Sequence, residues 1–345
     1  MGGKIGCVLL RGEATPPRDL LSPTPTWKSR NEHTMGDLPK GPGLISSSTT
    51  TPLSPQAGLR MVLRHSITLM KPVTWFAPAW AFLCGAIASG SLSWGVEPLG
   101  RLAIGLFMAG PILTGMSQVV NDYCDREVDA INEPQRLIPS GRVSLRHVYI
   151  LTAILTTLGT IIALFLGGQV ALFVGLGLIC ALAYSLKPLR AKRNGWYGNA
   201  LVAISYEGLA WMAGHVAFGG LTMASIVIAL LYSFGAHGIM TVNDFKSMKG
   251  DARMGIRSIP VQYGKATAAR MVVTVMGLAQ LGVILLLFWW GHPVAASIVT
   301  LLLVAQSIPN IRFIRDPEHN EVFFNATAIM LFVWGMLAAA IGIAG

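Results

Sequence analysis

Residues 147–186 read HVYILTAILTTLGTIIALFLGGQVALFVGLGLICALAYSL and contain no Asp, Glu, Lys or Arg. A helix rises ~1.5 Å per residue, so about 20 apolar residues cross the hydrocarbon layer of a bilayer. The stretch divides at Gly167-Gly168 into two such lengths, 147–166 and 168–186, joined by a minimal turn. In lipid every backbone polar group must find an internal partner, which makes both segments helical. Outward from this pair, apolar segments recur at about 75–93, 99–121, 197–216, 221–243, 267–290, 293–311 and 322–344, giving nine spans. The expected fold is an all-α polytopic membrane protein. Composition agrees: 12% of the 345 residues are charged, about half the share of a soluble domain.

Charge sets the orientation. Of the 26 Lys and Arg residues, 25 lie in the N-terminal segment and the loops after even-numbered spans, leaving Arg101 opposite. The positive-inside bias places that side in the cytoplasm. It also accounts for the net charge of +10 without nucleic acid as a partner. Cys7, Cys84, Cys124 and Cys180 are too scattered for a zinc site or a disulfide framework. Residues 1–60 hold eight of the 19 prolines, a Ser/Thr run at 46–51 and no apolar periodicity. They read as a disordered tail without a secretory signal, ahead of a membrane domain over 61–345.

The ends of spans two and six repeat one another. Val120-Asn121-Asp122 is followed by Asp125, Asp129 and then Arg136-Leu137-Ile138-Pro139. Val242-Asn243-Asp244 is followed by Ser247, Asp251 and then Arg257-Ser258-Ile259-Pro260. Such self-similarity predicts two related halves facing one site that opens to the cytoplasm. At ~100° per residue, positions i, i+3 and i+7 share one stripe of a helix. Asp122, Asp125 and Asp129 would therefore crowd one face, and Asp244 and Asp251 would do so in the second copy. Crowded carboxylates call for cations between them, and Mg2+ is held by a few carboxylates plus phosphate oxygens. A solvated acidic loop is the plain alternative for one copy; duplication at the membrane edge argues against it. The Lys and Arg residues of 187–193 would then neutralise a leaving diphosphate. An ion-coupled transporter also suits repeated acidic halves, but its sites lie near the bilayer midplane.

Residues 121–141 (NDYCDREVDAINEPQRLIPSG), with Lys71-Pro72-Val73-Thr74-Trp75-Phe76 and residues 243–251, resemble the UbiA-type intramembrane prenyltransferases. The resemblance spans about 64–345 and lies with the chlorophyll and bacteriochlorophyll synthase branch. Trp75-Phe76, Ser205-Tyr206-Glu207-Gly208 and residues 255–260 look more like its bacteriochlorophyll side. It implies esterification of the propionate of bacteriochlorophyllide with geranylgeranyl or phytyl diphosphate, releasing diphosphate. Chlorophyllide is the alternative acceptor, followed by the aromatic and haem substrates of the wider superfamily. The implied cofactor is Mg2+, with Mn2+ as a substitute, and the implied setting is a bacterial photosynthetic inner membrane with pigment-pathway proteins nearby. Carried over by position, Asp122, Asp125 and Asp244 are catalytic, and with Asp129 and Asp251 they hold the metal. Asn121, Arg126, Lys192, Asn243 and Lys246 would contact the diphosphate. Ser247 departs from the superfamily's usual Asp, as it does throughout the pigment branch.

Two further polar residues fall in span five. Glu207 has no Lys or Arg within helical reach, and a lone acid inside the membrane usually faces a cavity. His215 lies about two turns further on. Both are candidate pigment contacts, with a solvent-facing histidine as the alternative for His215.

Overall fold

The computed structural model describes residues 55–345, with side chains from Gly58 onward. Residues 1–54, most of the segment read as tail, lie outside the described residues. Residues 55–60 do not: they open α1, Pro55–Met70. This helix is exposed over residues 59–64 and buries Leu69 and Met70 at its end. Its Ser66 meets His147 across 3.0 Å.

The longer helical segments of the described residues follow, against nine spans expected by sequence. They are α2 (Phe76–Ala88), α3 (Val96–Asn132), α4 (Leu145–Leu166), α5 (Gly168–Ser185), α6 (195–216), α7 (Met223–Val242), α8 (Lys265–Trp289), α9 (Pro293–Arg315) and α10 (Pro317–Ala344). Seven of these are long and apolar enough to cross a membrane; α2 and α6 are not among them. The reason differs between the two. α2 is short, whereas α6 carries Asn199, Glu207 and His215 on surfaces enclosed by other helices. Between α2 and α6 a Cβ at Gly85 would overlap the Trp211 carbonyl, and one at Gly214 the Phe82 carbonyl. Glycine at both positions lets the two backbones touch, the close packing that membrane helices use in place of hydrophobic drive.

The helices are locally broken. Pro111 removes an N–H from α3, and a π-helical turn over Met108–Thr114 absorbs the gap, with Thr114 Oγ1 donating to Ala109 O at 2.8 Å. A second π turn, Ile204–Leu209, contains Glu207, and a third covers Asn325–Ile329. At the opposite face from the carboxylates, Arg101 donates Nε to Ala217 O at 2.6 Å and a second nitrogen to Leu166 O. The isolated cation of that side thus caps the last carbonyls of α4 and α6.

Candidate functional site

α3 continues to Asn132, eleven residues beyond the expected end of its span, so Asp122, Asp125 and Asp129 do share one helix. Asp122 and Asp129 are nearly buried. The second copy departs from expectation. α7 ends at Val242, residues 243–247 form turns, and Asp251 stands on a separate short helix, Met248–Arg253. Asp244 and Asp251 therefore do not form a helical stripe. Ser247 supplies the reason: its hydroxyl donates to Asp244 O at 3.2 Å and to Asp251 Oδ2 at 2.8 Å, local bonds that compete with a continuing helix.

Each carboxylate of the first motif has a cation. Asp122 Oδ1 takes Lys71 Nζ at 2.6 Å and lies 3.8 Å from Arg136 Nη1. Asp129 accepts from Arg136 at 2.9 Å. Asp125 lies 2.6 Å from Lys192 and 3.2 Å from Arg190. Lys192 also donates to Asn121 Oδ1 at 2.8 Å. Burial pulls the Lys192 ammonium below its ordinary range, while Asp125 opposes that shift. Among the described residues two non-glycine residues have left-handed backbone, Lys71 (φ 47°) and Arg190 (φ 37°). Such conformations are strained and persist where the surroundings over-determine them. Here both bring a cation onto the acidic stripe.

Ser185, at the end of α5, donates its hydroxyl to Asn121 Oδ1 at 3.5 Å. Two links tie the loops on the carboxylate side. Gly195 N–H donates to Arg257 O and Arg257 N–H to Arg193 O, each at 2.8 Å. Asn132 Nδ2 also approaches Met254 Sδ at 3.1 Å. One turn deeper, Tyr206 Oη receives Gln118 Nε2 at 3.2 Å and lies 3.3 Å from Ser117 Oγ, bracing α6 against α3.

Asp244 differs from the first-motif acids. Burial, reinforced by the charge of Asp251, pushes its carboxyl up to about 7. Its Oδ2 is buried without a hydrogen-bond partner. Among the described residues no three His, Cys, Asp or Glu side chains converge to hold a metal unaided. The expectation of one shared carboxylate cluster is corrected to that extent: the basic loops already pair the first-motif acids. The donor set still fits Mg2+, which takes hard oxygen ligands and shares its shell with phosphate. Asp244 Oδ2 is an orphaned oxygen of the right kind.

Several expected contacts are not brought to this centre. Arg126 lies 4.4 Å over the Tyr123 ring and pairs with Glu127 at 3.2 Å. Lys246 is exposed and pairs with Glu321 of α10 at 3.6 Å. His215 is fully buried, with Nδ1 2.8 Å from Ser225 Oγ and Nε2 3.0 Å from Gly220 O. Both ring nitrogens are engaged, so neither a pigment ligand nor a solvent-facing histidine describes it. Asn243 closes α7 beside Asp244. Conversely, sequence reading gave no role to Arg136. The repeated Arg-x-Ile-Pro tetrapeptide was the available signal for Arg136.

The chain is similar to several known proteins. A profile of the UbiA prenyltransferase family matches residues 75–336. The chain is 75% identical to the bacteriochlorophyll synthase 34 kDa chain of Chloroflexus aurantiacus, over 87% of this chain and 97% of that one. It is 44% identical to the bacteriochlorophyll synthase 33 kDa chain of Cereibacter sphaeroides, over 82% and 93%. A solved UbiA homolog from Archaeoglobus fulgidus, bound to DMAPP and Mg2+, superposes with a TM-score of 0.61 at 17% identity, covering 80% of this chain and 99% of that one. With paired Asn-Asp motifs on a helical membrane bundle and a family match over most of its length, the chain belongs to the UbiA prenyltransferase family.

Proposed function

We propose that this prenyltransferase esterifies the propionate of bacteriochlorophyllide with geranylgeranyl or phytyl diphosphate, releasing diphosphate. The observation that carries the reading is 75% identity to a bacteriochlorophyll synthase chain over nearly the whole of that protein. The cation-paired acids of the first motif and the unpartnered Asp244 Oδ2 of the second support the same chemistry.

In this reading α2 and α6 complete nine crossings, and the acidic mouth faces the cytoplasm of a bacterial photosynthetic membrane, following the Lys and Arg bias. Asp122, Asp125 and Asp129, with Asp244 and Asp251, would hold Mg2+, whose contribution is to draw charge from the diphosphate oxygens. Lys71, Arg136, Arg190 and Lys192 ring the same mouth and stabilise negative charge as it develops on the leaving group. Asn121 holds Lys192 in register. The acceptor is already a carboxylate at neutral pH, so the protein needs no general base to activate it. Apolar helices keep water from the reacting carbon.

Purified protein incubated with geranylgeranyl diphosphate and bacteriochlorophyllide should yield the pigment ester with Mg2+ and lose that activity with a chelator. No ester at any Mg2+ concentration from a folded preparation would contradict the proposal.

A further inference from the structure

The second copy of the repeat carries an arginine with no use in the chemistry above. Arg136, in the first Arg-x-Ile-Pro tetrapeptide, pairs with Asp129 at 2.9 Å. Arg257, its counterpart in the second, is exposed and forms no ion pair among the described residues. Its backbone is nonetheless fixed. Gly195 N–H donates to its carbonyl and its own N–H donates to Arg193 O, each at 2.8 Å, and Gln262 Nε2 donates to the same Arg257 carbonyl. Arg193 is exposed and without an ion pair as well, so no acid offsets the charge at this joint.

Arg257, Val261, Gln262 and Tyr263 line an open hollow of about 380 Å3. Trp196 borders it: its ring meets that of Tyr263 edge-on at 6.2 Å, and its Nε1 donates to Tyr263 Oη at 3.2 Å. An indole N–H can only donate, so the phenol oxygen accepts there and its own O–H is left to donate elsewhere. The hollow thus offers a guanidinium and a hydroxyl proton, and none of its lining residues is acidic. Such a donor set suits an anion with several oxygens, which the planar guanidinium fork can grip at two points.

Depth in the membrane narrows the class of anion. Trp196 lies at the start of α6, and Tyr263 stands two residues before α8. Both are exposed, and exposed Trp and Tyr at the ends of membrane helices sit at headgroup level. Basic pockets at that level take anionic headgroups. A zwitterionic lipid brings its own ammonium beside the phosphate, whereas an anionic one leaves a charge for Arg257 to neutralise.

We propose that Arg257 and Tyr263 bind the phosphate of an anionic phospholipid in this hollow. The bound headgroup braces the joint between the loop after α5 and the segment leading into α8. The first of these loops also carries Lys192 to Asp125.

The test is native mass spectrometry of the full-length protein in detergent, titrated with phosphatidylglycerol or phosphatidylcholine. The proposal predicts that the wild type retains phosphatidylglycerol in preference. Arg257→Gln should lower the apparent affinity for it about tenfold, the scale of hydrogen bonds to a charged group, and leave phosphatidylcholine unchanged. Arg253→Gln, which removes an exposed charge outside the hollow, should not alter either affinity. An equal loss in both variants would mean diffuse surface charge and overturn the site. So would a wild type without preference, or a phosphatidylglycerol affinity untouched by Arg257→Gln. Should that variant fail to fold, Tyr263→Phe decides, since it keeps the ring and removes the hydroxyl: weaker phosphatidylglycerol binding supports the site and unchanged binding refutes it. Displacement of the lipid by inorganic phosphate or diphosphate would make the hollow a free-anion site and refute the lipid assignment.

Discussion

Lys192 Nζ lies 2.6 Å from Asp125 Oδ1 and donates to Asn121 Oδ1 at 2.8 Å, so one cation spans two residues a helical turn apart on α3. The loop after α5 is thereby fastened to the acidic stripe. Replacing Lys192 by Met should leave a folded protein whose turnover falls roughly 10²-fold, the usual scale for losing one preorganised charge-stabilising donor. Lys192→Arg should recover part of that loss. Steady-state kinetics with saturating prenyl diphosphate check this; an unchanged kcat in the Met variant would remove Lys192 from the mechanism.

The two motif aspartates should separate activity from stability. Asp122→Asn and Asp244→Asn are both expected to abolish most turnover at limiting Mg2+. Asp122→Asn also breaks a half-buried pair with Lys71, which should cost about 1–2 kcal/mol, between surface and fully buried pairs. Asp244 has Asp251 as its charged neighbour among the acids and no salt-bridge partner among the described residues, so its Asn variant should melt no lower than wild type. Near wild-type turnover in either variant would contradict the two-motif arrangement.

Truncation to residue 55 should preserve membrane insertion and ester formation, because α1 opens at Pro55 and packs by Leu69 and Met70. Cutting through α1 should lower both, since the Ser66–His147 contact and the run into Lys71 would go with it. Loss of product from a well-expressed protein beginning at Pro55 would show that the preceding residues matter.

Much of this architecture is legible in the sequence where a single strong constraint acts. The charge-free runs reveal the helices because lipid tolerates few alternatives, and the 3-and-7 spacing of Asp122, Asp125 and Asp129 survives because α3 stays helical to Asn132. The same spacing misleads for Asp244 and Asp251, where Ser247 diverts backbone and side-chain bonding into turns. Isolated polar residues are the hardest to read. Ser225, ten positions from His215, and the carbonyl of Gly220 satisfy its ring, and Lys246 is drawn to Glu321, far along the chain. Neither partner is implied by local pattern.

Glu207 is the residue through which acceptor choice is expected to act. It is buried in a π turn, and its Oε2 has no hydrogen-bond partner. One apolar contact discriminates by only ~10–200-fold, whereas a site that hydrogen-bonds a ring substituent rejects its analogue more strongly. Glu207→Gln should therefore narrow the preference between two pigments that differ on the macrocycle while leaving the protein folded. An unchanged ratio would clear Glu207 of that role.

The most direct measurement is competition between equal amounts of bacteriochlorophyllide and chlorophyllide for geranylgeranyl diphosphate, with Mg2+ and the purified full-length chain. The account predicts that the bacteriochlorophyllide ester forms in clear excess from the first turnovers. An excess of chlorophyllide ester, or prenylation of neither pigment by an otherwise active enzyme, would contradict it.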